Sequence, residues 1–464
     1  MNMLLSAGTM VYVGSIFALA IFAKKRVRTE TDFLVSGRRL STFFSATTLF
    51  ATWFGAGTLL TATDAIYKEG LQKTALEPFG AGSCLLLAGL FFAKPLWELK
   101  ILTVPDLFAI KFGKTAEMVS ALLLIPGYFG WIAVQITALA GIVHLFFNVP
   151  IALAMALVTA IAITLACLGG MWSVVLTDSV QMVFVGVVIL VLAYVVITAM
   201  GQGSFGGGLH AWVQQAAVNR EWSIIREEPT QLYSIFNVFI IAALGNIPGQ
   251  DLAQRIFAAK SSKVAKRACL IAGGLYVFLG SISIVLGIAA RNLLPGDVDH
   301  SVIPKLALQV LSPELTMLLI LSIMSIIIST MDSAMLATSS IISHNLLKRF
   351  GHTGRSHIFL CRLCIVVVGV LSLTLAFMGE NAYVLLEQSY AISLVAIFAP
   401  FLVGLFQKGH GHEYSAILSM LTGVLVWALS FFHENPLLNE IVALLSAYFA
   451  YYLFRNMVSF KKLA

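Results

Sequence analysis

Residues 118–177 read MVSALLLIPGYFGWIAVQITALAGIVHLFFNVPIALAMALVTAIAITLACLGGMWSVVLT, sixty positions without one Asp, Glu, Lys or Arg. A membrane-crossing helix needs about 20 predominantly apolar residues, so this run alone holds two or more, and no soluble core helix hides so long a stretch. The whole 464-residue chain agrees: 59% of it is hydrophobic and 11% charged, against about 25% charged residues in ordinary soluble domains. A soluble enzyme, a nucleic-acid-binding domain and a disordered chain are excluded. The expectation is an all-α, multi-pass membrane protein.

Outward from that run, apolar stretches and Gly/Pro or charged punctuation predict thirteen spans. They fall near 3–23, 41–66, 74–93, 117–146, 149–168, 171–199, 231–256, 266–290, 313–344, 357–378, 384–407, 412–433 and 437–455. Spans four to six are separated only by Asn148-Val149-Pro150 and Gly169-Gly170. The N-terminal stretch reads as a retained span rather than a signal peptide, because no small-residue cleavage site followed by a soluble domain accompanies it. The segment near 200–230, with five glycines among its first nine residues, reads as a loop with short helical pieces. The chain is thereby expected to be a single transmembrane domain over 1–464.

The net charge of +7 follows from topology rather than from an anionic partner. With the N-terminus outside, 23 of the 29 Lys and Arg residues, Arg255 among them, fall in cytoplasmic segments. Lys68, Lys73, Arg220, Arg226, Arg291 and Lys305 remain outside. That asymmetry predicts a cell-membrane protein with its N-terminus out and its C-terminus in the cytoplasm. No nucleic-acid partner is implied. The five cysteines lie in or beside apolar runs without the spacing of a zinc site or a disulfide framework. The histidines sit mostly in loops or at span ends (His344, His352, His357, His410, His412) and form no metal-ligand pattern in sequence. No phosphate-binding loop and no nucleophile–base pair appears, so the expectation is a transporter and not an enzyme.

Two spans carry helix breakers. The second contains Ala51-Thr52-Trp53-Phe54-Gly55-Ala56-Gly57 and the seventh Gly245-Asn246-Ile247-Pro248-Gly249-Gln250-Asp251. Glycine weakens a helix, and proline removes a donor and clashes with the preceding turn. Freed backbone groups at membrane depth are tolerated only against protein, water or an ion. Five spans separate the breaks. With the first span set aside, each opens one of two successive five-helix units, the pattern of an inverted-repeat transporter with its site at mid-membrane.

The ninth span supplies polar side chains in an apolar helix: Ser325, Ser329, Thr330, Asp332 and Ser333. Ser329 shares a face with Asp332 and Ser333, and hydroxyls beside freed carbonyls make a hard-oxygen cage for a small cation. Serine and threonine hydroxyls also bond back to their own helix. A carboxylate at helix centre costs ~2.5–3.5 kcal/mol on insertion scales and marks an ion path by default, which singles out Asp332. Asp178 is placed near the cytoplasmic end of the sixth span. Glu77 and Asp64 are placed at outer span ends, as interfacial carboxylates. Asp251, at the seventh-span break, is open to two roles: a structural hydrogen bond or contact with a cationic substrate. Trp53 and Trp131 offer aromatic faces that can bind organic cations, or simply pack.

These residues resemble the sodium:solute symporter family. The carriers are Ser36-Gly37-Arg38-Arg39-Leu40, Gly169-Gly170 through Thr177-Asp178 and Gln181, Pro248 with Gln254-Arg255 and Ala258-Ala259-Lys260, and Ser329-Thr330 with Asp332-Ser333. They run in order from about residue 33 to 345. Ala51-Thr52-Trp53, Gly89 to Pro95 and Gly245-Asn246-Ile247-Pro248 are similar to the high-affinity choline transporters. The resemblance implies the LeuT-type fold: a 5+5 inverted repeat (41–199 and 231–407), one helix before it (3–23) and two after (412–455). It implies a sodium-coupled importer of a small organic solute, working by alternating access in the lipid bilayer, as monomer or homodimer.

Carried over by motif, the main sodium site takes the carbonyls of Ala51, Phe54 and Ile326 and the hydroxyls of Ser329 and Thr330. A second sodium position takes Asp178, Ser329, Asp332 and Ser333, with a proton as the alternative occupant. The substrate positions are Trp53, Thr58, Trp131, Gly249 and Asp251. A choline-type aromatic cage is half present, since Trp53 and Trp131 match while Ala81 and Gly249 stand where two more aromatics are expected. Such a cage beside Asp251 suits another amine or a zwitterion, but the family also moves sugars, amino acids, carboxylates and vitamins. Two other readings stay open: proton coupling through Asp178 or Asp332 on the same fold, and a sensor or channel-like membrane protein.

Overall fold

The computed structural model describes residues 2–71, 76–218, 229–294, 302–347, 355–379, 388, 391–430 and 440–461. Lys73, Arg220, Arg226, Lys348, Arg349, His352 and Lys462, part of the 200–230 segment and the first residues of the spans expected at 384–407 and 437–455 lie outside them.

The described chain is helical almost throughout. In order it forms α1 (Asn2–Lys24), α2 (Glu30–Val35), α3 (Thr42–Trp53), α4 (Gly57–Glu69), α5 (Glu77–Glu98), α6 (Val104–Lys111) and α7 (Lys114–Phe147). There follow α8 (Ile151–Met200), α9 (Phe205–Val218), α10 (Pro229–Gly245), α11 (Gln250–Ala258), α12 (Ser262–Leu293) and α13 (Val302–Val310). The chain continues as α14 (Pro313–Leu347), α15 (Arg355–Phe377), α16 (Ser393–Phe406), α17 (Glu413–Ser430) and α18 (Glu440–Lys461).

Among the described residues, nine helical stretches, α10 and α11 counting together as Ile235–Ala258, are long and apolar enough to cross a membrane, and the bent pair α3/α4 makes a tenth. The 50-residue α8 carries two expected spans. It turns at Gly170 (φ 52°, ψ −137°), where a Cβ would stand 2.5 Å from the Phe33 carbonyl oxygen, so only glycine fits. The shorter α16 and the terminal α18 fall on the remaining two expected spans.

Helix starts are chemically specified. Ser41, Ser261 and Ser312 each accept a backbone N–H of the first turn that follows, and Pro313 occupies the first turn of α14. Thr29 and Asp32 close a capping box at α2.

Burial ranks the helices. Positions 319–341 of α14 are buried without exception, the mark of a central helix apolar or packed on every side. It packs against α7 and α8, while α12 packs against α3. The lightly buried α1 lies against α8 at the periphery.

The motif 36–40 ties the second-span entry to the seventh-span exit. Leu40 N–H donates to the Ala258 carbonyl at 3.1 Å and Lys260 N–H to the Leu40 carbonyl at 3.0 Å. Arg38 donates to the carbonyls of Lys100 and Ile101 at 2.7 and 2.8 Å. Trp97 Nε1 adds a bond to the Ala259 carbonyl at 2.8 Å.

Candidate functional site

Both expected breaks are present. The axis bends by 58° between α3 and α4, and α10 stops at Gly245 before α11 starts at Gln250. The last carbonyls of α3 lose their helical continuation at the bend, and three of them have identified partners. Phe50 O takes the Phe54 N–H at 2.8 Å, and Trp53 O takes the Gly55 N–H at 2.9 Å and the Tyr276 hydroxyl at 3.3 Å. Ala51 O takes the hydroxyls of Ser329 at 3.2 Å and Thr330 at 3.3 Å. Thr330 also donates to Ile326 O at 3.0 Å, so its hydroxyl oxygen touches both helices. Phe54 has left the helix (ψ 82°). Four of the five atoms expected around the main cation are thus gathered at the α3/α14 crossing, with the Phe54 backbone at the turn beside them.

On the far side of the break, Ala56 N–H donates to Gln135 Oε1 at 3.1 Å. Gln135 is buried and is the sole amide side chain of α7, a mid-span polarity that sequence reasoning passed over.

A second cluster lies one turn along α3. Thr48 donates to Asp178 Oδ2 at 2.5 Å, and Thr52 to Ser333 Oγ at 3.3 Å. Arg255 Nη2 donates to the same Ser333 oxygen at 2.6 Å, and Nη1 to the Asp251 carbonyl at 3.3 Å. Asp178 Oδ1, Asp332 Oδ1 and Arg255 Nε are buried without a protein hydrogen-bond partner.

One sequence assignment is corrected here. Arg255, counted by charge among the solvent-facing residues of a basic segment, is instead buried in the protein. It is 0% exposed, and its charge is felt by Asp178, Asp251 and Asp332. Lying only five residues before Lys260, it joins a basic stretch in sequence, while α11 carries it back into the protein. Asp178, expected in the second cation position, is likewise fully buried.

The substrate positions converge on the two breaks. Trp53 Nε1 donates to Asp251 Oδ2 at 2.7 Å, and the Tyr128 hydroxyl donates to Asp251 Oδ1 at 2.6 Å. Trp131 packs against Tyr128 with ring centroids 6.1 Å apart. Gly249 precedes α11, and a Cβ there would meet Asp251 Oδ1 and Asn246 O at 2.8 Å, so glycine admits the folded-back carboxylate.

Thr58 bonds Glu77 Oε2 at 3.1 Å and shares a 2.5 Å bond with the Tyr276 hydroxyl, which also donates to Glu77. Glu77 is therefore not interfacial. At 2% exposure it is a second carboxylate beside the break, held by hydroxyls from α4 and α12. Sequence reasoning missed Tyr276 and Tyr128, whose rings are indistinguishable from core aromatics until a carboxylate is seen at each hydroxyl. Asp64, in α4, is half-buried and accepts the Val302 N–H at 2.9 Å.

A family model described as the Sodium:solute symporter family matches residues 33–450. The chain is 26% identical over 412 residues to the human high affinity choline transporter 1, covering 84% of this chain and 69% of that one. It is 27% identical over 367 residues to the sodium/pantothenate symporter of Haemophilus influenzae, covering 75% and 72%. Among solved structures it is similar to the substrate-bound outward-open state of a Na+-coupled sialic acid symporter, with a TM-score of 0.81 at 17% identity and 98% of each chain covered. The shared architecture is the LeuT-type fold.

Proposed function

This chain belongs to the sodium:solute symporter family and acts by sodium-coupled symport of a small solute across a membrane, and we propose that the solute is a small organic cation or zwitterion imported by alternating access. The observation that carries the substrate class is the Trp53–Asp251–Tyr128 bridge between the two breaks. It presents a fixed carboxylate beside aromatic faces, the chemistry that holds an ammonium group. Trp131, Thr58 and Gly249 complete the pocket, and Glu77 adds a second buried carboxylate.

Sodium is held by the carbonyls of Ala51, Phe54 and Ile326 and the hydroxyls of Ser329 and Thr330. These are neutral hard-oxygen donors, suited to a weakly held monovalent ion. The ion joins α3 to α14 and thereby favours one state of the broken helix.

The cluster of Asp178, Asp332 and Ser333 serves a second cation. Three buried carboxylates, counting Asp251, face one guanidinium, so an added positive charge is electrostatically favoured, and two partnerless carboxylate oxygens are available to hold it. Sodium or a proton fits that position.

The halves 41–199 and 231–407 rock against one another, with the N-terminus outside, as the Lys/Arg bias favours. Burial of Arg255 lowers that bias by one charge and leaves its sign. One charge crossing ~100 mV supplies ~2.3 kcal/mol and a tenfold sodium gradient ~1.4 kcal/mol.

The test is a thermal-shift screen of purified protein against amines, betaines, amino acids, sugars and carboxylates, with and without sodium, followed by proteoliposome uptake of the best stabiliser. Sodium-dependent stabilisation by an amine is expected. Stabilisation by a sugar or a dicarboxylate alone overturns the solute class, and accumulation driven by a pH gradient without sodium replaces sodium with the proton.

A further inference from the structure

At the end of the fold that carries Arg38 and Lys100, four helices meet and bring together side chains that sequence spacing does not connect. Glu30 opens α2, His344 lies in the last turn of α14, and His357 and Cys361 lie one turn apart at the start of α15. Asp106 belongs to the first turn of α6. The donor atoms of Glu30, His344 and His357 all lie within 4.8 Å of one another. We propose that Glu30, His344 and His357, with Cys361 as fourth ligand, form a binding site for a divalent transition-metal ion of the zinc class.

The ring nitrogens carry the argument. Both imidazoles turn Nδ1 toward the same oxygen, Glu30 Oε1, at 2.7 Å for His344 and 3.6 Å for His357. Both bond outward through Nε2. That of His344 faces Asp106 Oδ1 at 3.3 Å, and that of His357 faces the Ser343 carbonyl at 3.3 Å. Metal-bound histidines characteristically give their second nitrogen to a carboxylate or a backbone carbonyl, which fixes the tautomer and frees the other lone pair for the ion. Here both arrangements occur side by side.

Asp106 is itself anchored, accepting the N–H groups of Leu102 and Thr103 and the Asn345 amide at 2.9–3.1 Å. Cys361 Sγ is 3.7 Å from His357 Nδ1.

Two of the spacings already suit a tetrahedron. With bonds of ~2.0–2.1 Å to N and O and ~2.3 Å to S, adjacent ligands stand ~3.3–3.6 Å apart. The 3.6 and 3.7 Å separations around His357 Nδ1 are close to that. The Glu30–His344 pair, now at hydrogen-bond distance, must open by less than ~1 Å, and the Cys361 thiol, which lies outside the 4.8 Å group of the other three donors and now meets Ser343 Oγ at 3.2 Å, must close on the ion.

A proton shared by His344 and the two carboxylates explains one imidazole. It gives no reason for His357, closed to solvent, to aim the same nitrogen at the same oxygen and at a thiol. Exposures of 12% for the His344 side chain and 20% for Glu30 leave an entry path for the ion. Mixed nitrogen, oxygen and sulfur donors favour zinc over calcium or magnesium.

The test uses the purified full chain and zinc itself. Competition against a chromophoric chelator is expected to show one site, weakened at least tenfold by His344→Ala, by His357→Ala and by Glu30→Gln, and unchanged by His410→Ala. Asp106→Asn is expected to weaken it about tenfold, the usual cost of removing an outer-shell partner. Cobalt in place of zinc is expected to give four-coordinate visible bands, with a thiolate charge-transfer band that disappears in Cys361→Ser.

A wild type that binds no zinc, or a His344→Ala/His357→Ala variant that binds it as well, overturns the site. A cobalt spectrum without the thiolate band overturns the place of Cys361. Should the variants fold poorly, zinc-dependent thermal stabilisation of the wild type, reversed by chelation, decides alone. None of these readouts depends on transport.

Discussion

Trp53 Nε1 and Asp251 Oδ2 are 2.7 Å apart, and the bond between them joins the last residue of α3 to the first turn of α11. Two helices interrupted five spans apart are therefore fastened at their interruptions. Tyr128 holds the other carboxylate oxygen from α7, a helix that is itself unbroken. A solute drawn to Asp251 would meet a charge fixed from two sides, and its binding would be felt by both broken helices at once.

The solute pocket is tested by removing that charge. Asp251→Asn keeps shape and loses the carboxylate. Hydrogen bonds to charged groups are worth ~1.5–3 kcal/mol, so the half-saturating solute concentration should rise by roughly 10–100-fold. Trp53→Phe keeps an aromatic face and loses only the Nε1 donor, with a smaller rise of roughly 5–10-fold. Concentration dependence of uptake measures both, and an unchanged affinity in Asp251→Asn removes the cation from the solute class.

For the main cation, the two hydroxyls that reach Ala51 O are the sharpest probe. Ser329→Ala or Thr330→Ala should each raise the half-activating sodium concentration by about 5–10-fold, equivalent to ~1 kcal/mol for one oxygen ligand. Thr330→Ser should stay near wild type. Sodium activation of uptake is the measurement, and wild-type curves in both alanine variants would place the ion elsewhere.

Much of this site was legible because it is local. The breakers of spans two and seven and the hydroxyl run of α14 sit within a few residues of chain, and the apolar runs mark thirteen helices, with even the weak division at Gly169-Gly170 returning as a sharp turn in α8. What escaped depends on distant partners. Arg255 joins a basic stretch in sequence, so counting charges by segment puts it in water; only α11 packed against α3 and α14 shows it among three carboxylates. Glu77 borders a helix start, where acids are common, and nothing local foretells hydroxyls from Thr58 and Tyr276. The histidines of α14 and α15 are 13 residues apart and become neighbours only by helix pairing.

The counter-charge role of Arg255 makes a double-variant prediction. Removing one partner of a buried charge group costs ~3–5 kcal/mol because the rest is left uncompensated. Arg255→Met should therefore lower thermal stability strongly. Adding Asp332→Asn to it should restore a large part, since one of the stranded carboxylates is then neutral. Thermal unfolding of the single and double variants measures the coupling, and strictly additive losses would show that Arg255 and Asp332 do not share a charge balance.

Gln135 separates structural support from ion binding at the same bend. Its Oε1 takes the Ala56 N–H, a donor that the interrupted helix cannot satisfy. Gln135→Leu leaves that donor buried and unpaired, at a cost of ~1–3 kcal/mol, and should lower thermal stability and sodium affinity together. Gln135→Glu preserves the acceptor and brings a negative charge to the turn that carries the sodium-site carbonyls. It should hold stability near wild type when sodium is present and lower the half-activating sodium concentration. Sodium-dependent unfolding and uptake distinguish the two effects. If Gln135→Glu weakens sodium as much as Gln135→Leu does, the amide acts through its own N–H groups rather than through the oxygen that meets Ala56.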